Sequence, residues 1–332
     1  MRIVIRVFAF WAAWMVAGFC HAQEWPSKPI RLVVPFAPAG PADIIARLVG
    51  QKLNEYLGQQ IIVDNRAGAG GNIGAAAVAK SPPDGYTVLA TTSALVVKVS
   101  LYSSPGYTER DFIPIVGVAS QPNMIFVNAN VPAKNLAELF SLARTSKLAY
   151  ASPGSGTTPH LTGENLFNVL AKVNMTPIHF RGAGQAVVAV VSGEPPVGSM
   201  AISGPLPLIK AGKLRALAVS SARRNAVLPE VPTFAEAGFP GIEDYTWIGV
   251  FLPAGTPSPV VQKLNEAINR AIQAPDFRER LEANAFDPLG GSQQQFAQYV
   301  KVEIAKWRKV VDRKSTRLNS SHIEPSRMPS SA

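Results

Sequence analysis

IRLVVPFAPAGPADIIARLVGQKLNEYL (30–57) decides the fold. It opens as an unbroken apolar run, IRLVVPF (30–36), the pattern of a strand buried on both faces. After the turn APAGPA (37–42), Ile44, Ile45, Leu48, Val49 and Leu53 fall at helical spacing. Pro41 suits the first helical position, where its missing N–H costs nothing and its φ is preset. A buried strand feeding an amphipathic helix is half of a βαβ unit.

The alternation recurs down the chain. QQIIVDN (59–65) precedes an Ala-rich helix ending near Lys80, and YTVLATT (86–92) follows. Then come MIFVNA (124–129), NLAELFSLA (135–143), LAYAS (148–152) and HLTGENLFNVLAKV (160–173). MTPIHF (175–180), GQAVVAVVSG (184–193) and LRALAVSS (214–221) continue the series. Such repetition predicts α/β architecture with parallel sheets and right-handed crossovers. Three amphipathic helices close it, the last with Phe296, Val300, Ile304, Trp307 and Val311 in one stripe.

One wide sheet or two smaller ones would both satisfy this pattern. Two stretches read as crossings between lobes, IPIVGVAS (113–120) and WIGVFLPAGTP (247–257), each an apolar strand punctuated by Pro or Gly. A chain that leaves one lobe and returns gives a hinged pair with a cleft between. The expected division is a first lobe over 23–120 and 247–312, and a second over 121–246.

The ends of the chain stand apart. Residues 1–22 have a positive start (Arg2, Arg6), an apolar stretch from Val7 to Phe19, and small Ala22 at a cleavage position. That is the pattern of a secretory signal peptide, which puts the mature chain outside the cytoplasm, in the periplasm. Cys20 raises lipidation, but bulky Phe19 before it suits that processing poorly, and cleavage after Ala22 removes the chain's one cysteine. RKSTRLNSSHIEPSRMPSSA (313–332) has no apolar period, resembles translated adapter sequence, and is expected to be disordered. These two ends hold half of the formal net charge of +10. What remains is mildly basic without a Lys/Arg run, which argues against nucleic acid and suits a small anion.

Three strand-to-helix loops carry the candidate chemistry. In PFAPAGPAD (35–43), the free amides of the first helical turn point beyond the strand's carboxyl end, where α/β sheets bind ligands. The plain alternative is a tight turn capped by Asp43, whose charge would repel a carboxylate and so suits a backbone amide, hydroxyl or ammonium better. YASPGSGTTPHLTGE (150–164) has Thr158 as expected N-cap and Pro159 behind it. Its Gly154 and Gly156 allow close backbone approach, and Ser155, Thr157 and Thr158 supply hydroxyls. His160 reads as a neutral donor or a packed residue more than as a base. In HFRGAGQAVVAV (179–190), Arg181 is a carboxylate fork or a solvated loop charge. NRAGAGGNIGAA (65–76) spaces Gly68, Gly70 and Gly74 one residue too widely for a dinucleotide fingerprint and reads as a tight turn.

Catalytic patterns are sparse. The core holds His160 and His179, without a G-x-S-x-G elbow or an H-E-x-x-H pair. A Ser155–His160 hydrolase is conceivable, but nothing adjacent in sequence orients the imidazole. No cofactor and no metal is expected.

Five segments carry a resemblance: WPSKPIRLVVPFAPAGPADIIAR (25–47), VDNRAGAGGNIGAAAVAKSPPDGYT (63–87), YASPGSGTTPHLTGE (150–164), IKAGKLRALAVSS with LPEVPTFAEAGFPG (209–221, 228–241), and WIGVFLPAGTP (247–257). In that order, from about Trp25 to Asp312, they resemble the Bug (TctC-like) extracytoplasmic receptors of tripartite tricarboxylate transporters. The resemblance implies a type II periplasmic binding protein fold, with two lobes, a central cleft and two hinge crossings. It implies capture of a small carboxylate for a two-component membrane permease; a component that presents its ligand-loaded form to a sensor is the rival reading. The implied binding positions are Phe36, Ala37, Pro38, Ala39, Gly40, Ala42 and Asp43 in the first loop, and Ser155, Gly156, Thr157, Thr158 and His160 in the second. Ser93 is carried over as a cleft-lining position, and Arg181 completes the set. GSMAISG (198–204) lacks the Phe-Asp pair common in the family there, so the far end of the ligand is left open, with an aromatic or single acid as the guess. A monomer is expected.

Overall fold

The computed structural model describes residues 25–101 and 105–318, with side chains through Arg308. The expected signal segment and residues 319–332 lie outside the described residues. Among those described, no helix is long and apolar enough to cross a membrane.

The deciding stretch folds as read. Strand β1 (Ile30–Val34) leads through the loop 35–40 into helix α1 (Pro41–Leu57). Pro41 is the first helical residue, and Gly58 ends the helix in the left-handed region at φ 64°, its amide on the Asn54 carbonyl. Strand β2 (Ile61–Asn65), helix α2 (Asn72–Ala79), strand β3 (Thr87–Thr92) and helix α3 (Ala94–Leu101) continue the first lobe. Strand β4 then runs from Phe112 to Asn128.

The second lobe comprises α4 (Leu136–Thr145), β5 (Ala149–Ser152), α5 (Thr158–Gly163, extended by a π-helical turn to Leu170) and β6 (Thr176–His179). It continues with α6 (Ala183–Ser192), β7 (Val197–Ala201), α7 (Leu206–Lys210) and β8 (Leu214–Val219). Strand β9 (Tyr245–Pro253) returns to the first lobe, followed by α8 (Ser258–Gln273), α9 (Pro275–Ala283), β10 (Asp287–Pro288) and α10 (Gln293–Leu318). The backbone of α10 thus runs past Asp312, where disorder was expected to begin.

Strand order is β2-β1-β3-β9-β4-β7-β5-β6, with β8 and β10 also on β4. The expectation of parallel sheets needs correcting. β1 pairs in parallel with β2 and β3, and β5 with β6 and β7, but β9 is antiparallel to both β3 and β4. The reason is the two crossings: β4 leaves the first lobe and β9 re-enters it, so they run in opposite directions.

β4 is one strand where the sequence suggested two. It pairs with β9 as far as Pro122 opposite Tyr245, and with β7 from Asn123 opposite Ala201. Pro122 is tolerated inside a long strand because it sits where the strand changes partners. The period of two then splits the cores cleanly. Leu32 and Val34 face helices α1 and α8, while Val33 faces the opposite layer with Phe296, Val300, Ile304 and Trp307 of α10. In the second lobe Ile125 and Val127 face α4, and Met124 and Phe126 face α6. Each lobe is therefore a sheet covered on both faces. The loops between β-strand ends and helix starts are left to meet where the lobes adjoin.

Candidate ligand cleft

Phe36, Gly40, Pro41 and Ala42 of the first lobe share one narrow cavity of about 30 Å³ with Pro153, Thr157, Pro159, Ala183 and Ala201 of the second. Thr92 and Thr246, at the ends of β3 and β9 nearest the crossing, complete its wall. No lining residue carries a charge. Three helix starts border this space: α1 at Gly40–Ala42, α5 at Thr157–Pro159 and α6 at Ala183. The first-turn amides of a helix have no acceptor inside it, and the dipole adds positive partial charge there.

The first loop is held by its own lobe. Asp43 is 4% exposed and accepts the Ala39 amide, the Asn65 side-chain amide and both arms of Arg47 at 3.0 Å. Burial alone would raise its pKa, but these donors outweigh burial and hold the carboxyl below the usual range. Asn65 also donates to the Phe36 carbonyl, so one cluster pins both ends of the turn. Asp43 is thus committed to partners in its own lobe and does not line the cavity. Ala37 is buried and donates its amide to the Arg181 carbonyl across the cleft, whereas Pro38 and Ala39 turn to solvent. Ala39 holds φ 63°, a conformation that tightens the turn before Gly40.

The second loop is held differently. Thr157, not Thr158, is the N-cap: its hydroxyl accepts the His160 amide and donates to the Gly154 carbonyl. Either threonine has the chemistry, and the turn at Gly154–Gly156, with both φ positive, decides which oxygen faces the free amide. Thr158 is instead the second link of a buried chain of hydroxyls. Ser93 Oγ lies 3.1 Å from Thr158 Oγ1, which lies 2.8 Å from Thr246 Oγ1. Thr246 donates to Asn123, and Asn123 and Thr162 both donate to Asp244. Burial raises the Asp244 pKa despite those donors. The polar floor therefore lies at the point where β4 and β9 cross.

His160 accepts the Gly156 amide at Nδ1, 3.1 Å away, so that nitrogen carries no proton. Its ring meets the edge of His179 at 4.6 Å between centroids, which fits the packed, neutral reading. His179 Nδ1 lies 2.7 Å from Ser152 Oγ, and burial lowers its pKa. The Arg181 side chain is exposed, and what the fold uses is its carbonyl. Of the residues expected from sequence, Phe36, Gly40, Ala42 and Thr157 line the cavity. Ser93 and Thr158 lie beneath it, Ala37 and Gly156 brace it, and Pro38, Ala39, Asp43 and the Arg181 side chain do not enter it.

Sequence reasoning did not place Pro41, Thr92, Thr246, Pro153, Pro159, Ala183 and Ala201 in the wall, or Lys98 behind it. Lys98 is 1% exposed and donates to the Ala69 and Ser155 carbonyls, and burial pulls its pKa down to about 8. A single lysine inside the apolar run ALVVKVSL (94–101) was the available signal.

Known proteins share this fold. Residues 45–316 match the model of a family described as tripartite tricarboxylate transporter family receptor. The chain is 41% identical over 313 residues to the UPF0065 protein in the tcbD-tcbE intergenic region of Pseudomonas sp. (strain P51), covering 92% of this chain and 93% of that one. It superposes on the periplasmic binding protein BugD with a TM-score of 0.84, at 31% identity, over 87% of this chain and 98% of that one. It superposes on R. palustris Rpa4515 with adipate with a TM-score of 0.83, at 36% identity, over 87% of this chain and 98% of that one. These neighbours share the type II periplasmic binding protein fold.

Proposed function

The chain belongs to the tripartite tricarboxylate transporter family of receptors, and from that premise we propose that it captures a small carboxylate in the cleft and hands it to a membrane permease. The family comprises periplasmic solute-binding proteins, which bind rather than transform their ligands. Export through the segment 1–22 is the matching proposal for this chain. One observation supports the ligand class above the others: three helix starts border a single cavity that no charged side chain lines. Helix starts bordering that space would stabilise a carboxylate that enters it without the desolvation cost of burying an arginine.

The proposed ligand-contacting set is Phe36, Gly40, Ala42 and Thr157 at the wall, with Ala37, Gly156, Thr158 and Ser93 behind it. Away from the helix starts the wall is Phe36, Pro153, Ala201 and the hydroxyl-bearing Thr92 and Thr246, which suits a ligand body without a second charge. That separates this chain's preference from a dicarboxylate such as the adipate of Rpa4515. A cavity of about 30 Å³ has room for roughly two waters, so such an acid enters only when the lobes part. The proposed lobes are 23–120 with 247–312 and 121–246, turning about the crossing near Pro122 and Tyr245.

Calorimetry with the mature chain tests this against aromatic and aliphatic monoacids, dicarboxylates and the corresponding amides. One-to-one binding of a monoacid, with its amide silent, is the expected result. At 100 times the dissociation constant the ligand should add about 2.7 kcal/mol to unfolding stability. A blank carboxylate panel overturns the reading, and a preference for diacids overturns the single-acid part of it.

A further inference from the structure

Lys98 projects from α3 of the first lobe, yet its ammonium donates to the Ala69 carbonyl of its own lobe and to the Ser155 carbonyl of the other. Ser155 lies between Pro153 and Thr157, both of which line the cavity, so the ammonium grips the second loop from behind.

The seam around it is built for close approach. A Cβ on Gly154 would lie 2.9 Å from Gly70 Cα, so the loops of the two lobes meet backbone to backbone. A Cβ on Gly156 would lie 3.0 Å from Leu101 and 3.4 Å from Lys98 Nζ. At Gly70, held at φ 61°, a Cβ would collide with Lys98 Nζ and the Ser155 carbonyl. Gly70 of NRAGAGGNIGAA, a stretch that fits no nucleotide pattern, thus serves a meeting of lobes, while Gly68, Gly71 and Gly74 pack against Ile73, Phe36 and Pro35 of the first lobe.

We infer that Lys98 is a latch across the cleft: by holding the Ser155 carbonyl against the first lobe it sets how much of the protein is closed, without touching the ligand. A buried ammonium is tolerated only while oxygens replace its water. When the lobes part, Ser155 leaves and water takes its place. A hydrogen bond to a charged group exchanged for one to water nets only part of its gross strength, which suits a reversible catch rather than a permanent joint. Because apparent affinity scales with the closed fraction, Lys98 acts as a positioning residue for whatever the cleft binds.

This inference rests on the reading that the two lobes part and close, and its test needs no ligand, so a failure of carboxylate binding leaves it standing. Amide hydrogen exchange and solution scattering would compare the mature protein with Lys98→Met and Gly70→Ala. The first removes the ammonium; the second keeps it and wedges the seam. Both are expected to speed exchange roughly tenfold or more at residues 67–72 and 153–158 together, with strands β3 and β5 unchanged and a larger radius of gyration. If Lys98→Met does not fold, Gly70→Ala decides alone. Faster exchange confined to α3, a change in one loop without the other, or no change in either overturns the latch.

Discussion

The loop 35–43 and the loop 153–160 face each other across the cleft, but their bonds go to different places. Asp43 ties the first loop to Arg47 and Asn65 of its own lobe, and the Ala37 amide makes its one backbone bond across the gap, to the Arg181 carbonyl. The second is tied across the gap, through Ser155 to Lys98 and through Thr158 to Ser93 and Thr246. The first loop is therefore held mainly from within its own lobe, while the second, capped internally by Thr157, carries more of the bonds that cross the gap. A ligand can be sensed by such a pair because closing completes part of the site.

The comparison breaks most sharply at Asp43. Asp43→Ala strands an amide, an amide side chain and one guanidinium, and is expected to cost about 2–3 kcal/mol in urea unfolding whether or not ligand is present. Were the two loops equivalent, Thr158→Val would cost as much. It is instead expected to lose about 1–2 kcal/mol, with most of the effect seen as faster exchange at 153–158 rather than global unfolding.

Acid should separate the loops a second way. His179, packed on His160 behind the second loop, has its pKa lowered from 6.5 by burial. The unfolded chain binds more protons in that window, so stability falls as pH drops below about 6.5, first at the second lobe. Asp43 has its pKa lowered from 3.8, so its contribution persists until pH falls below about 3.8. Exchange followed from pH 7 downward should loosen 153–160 before 35–43, and His179→Gln should flatten the upper step. Loosening of both loops at one pH would contradict the division. The smallest effect is expected at Arg181→Ala, within about 0.5 kcal/mol in stability and twofold in affinity, because the carbonyl and not the guanidinium meets Ala37.

Local patterns were legible where one residue type answers a local need. Pro41 marks the start of α1 because a missing N–H is read from a single residue. Strand β7 (Val197–Ala201) escaped notice because Gly and Ser dilute its apolar pattern, and Gly198 is there to admit the Phe126 ring. Thr157 and Thr158 exchanged expected roles because capping depends on where an oxygen points. Lys98 was overlooked because its partners are distant in sequence: Ala69 by 29 residues and Ser155 by 57.

The sequence by itself determined the alternation of buried strands and amphipathic helices, and the three strand-to-helix turns that carry the candidate chemistry. Periodicity and capping act within a few residues, so they survive without a fold. Only the tertiary structure decided that those turns converge, that β4 passes through Pro122 from one sheet to the other, and that a buried ammonium joins the lobes. These depend on groups far apart along the chain arriving within hydrogen-bond distance, and that is settled by packing rather than by local order.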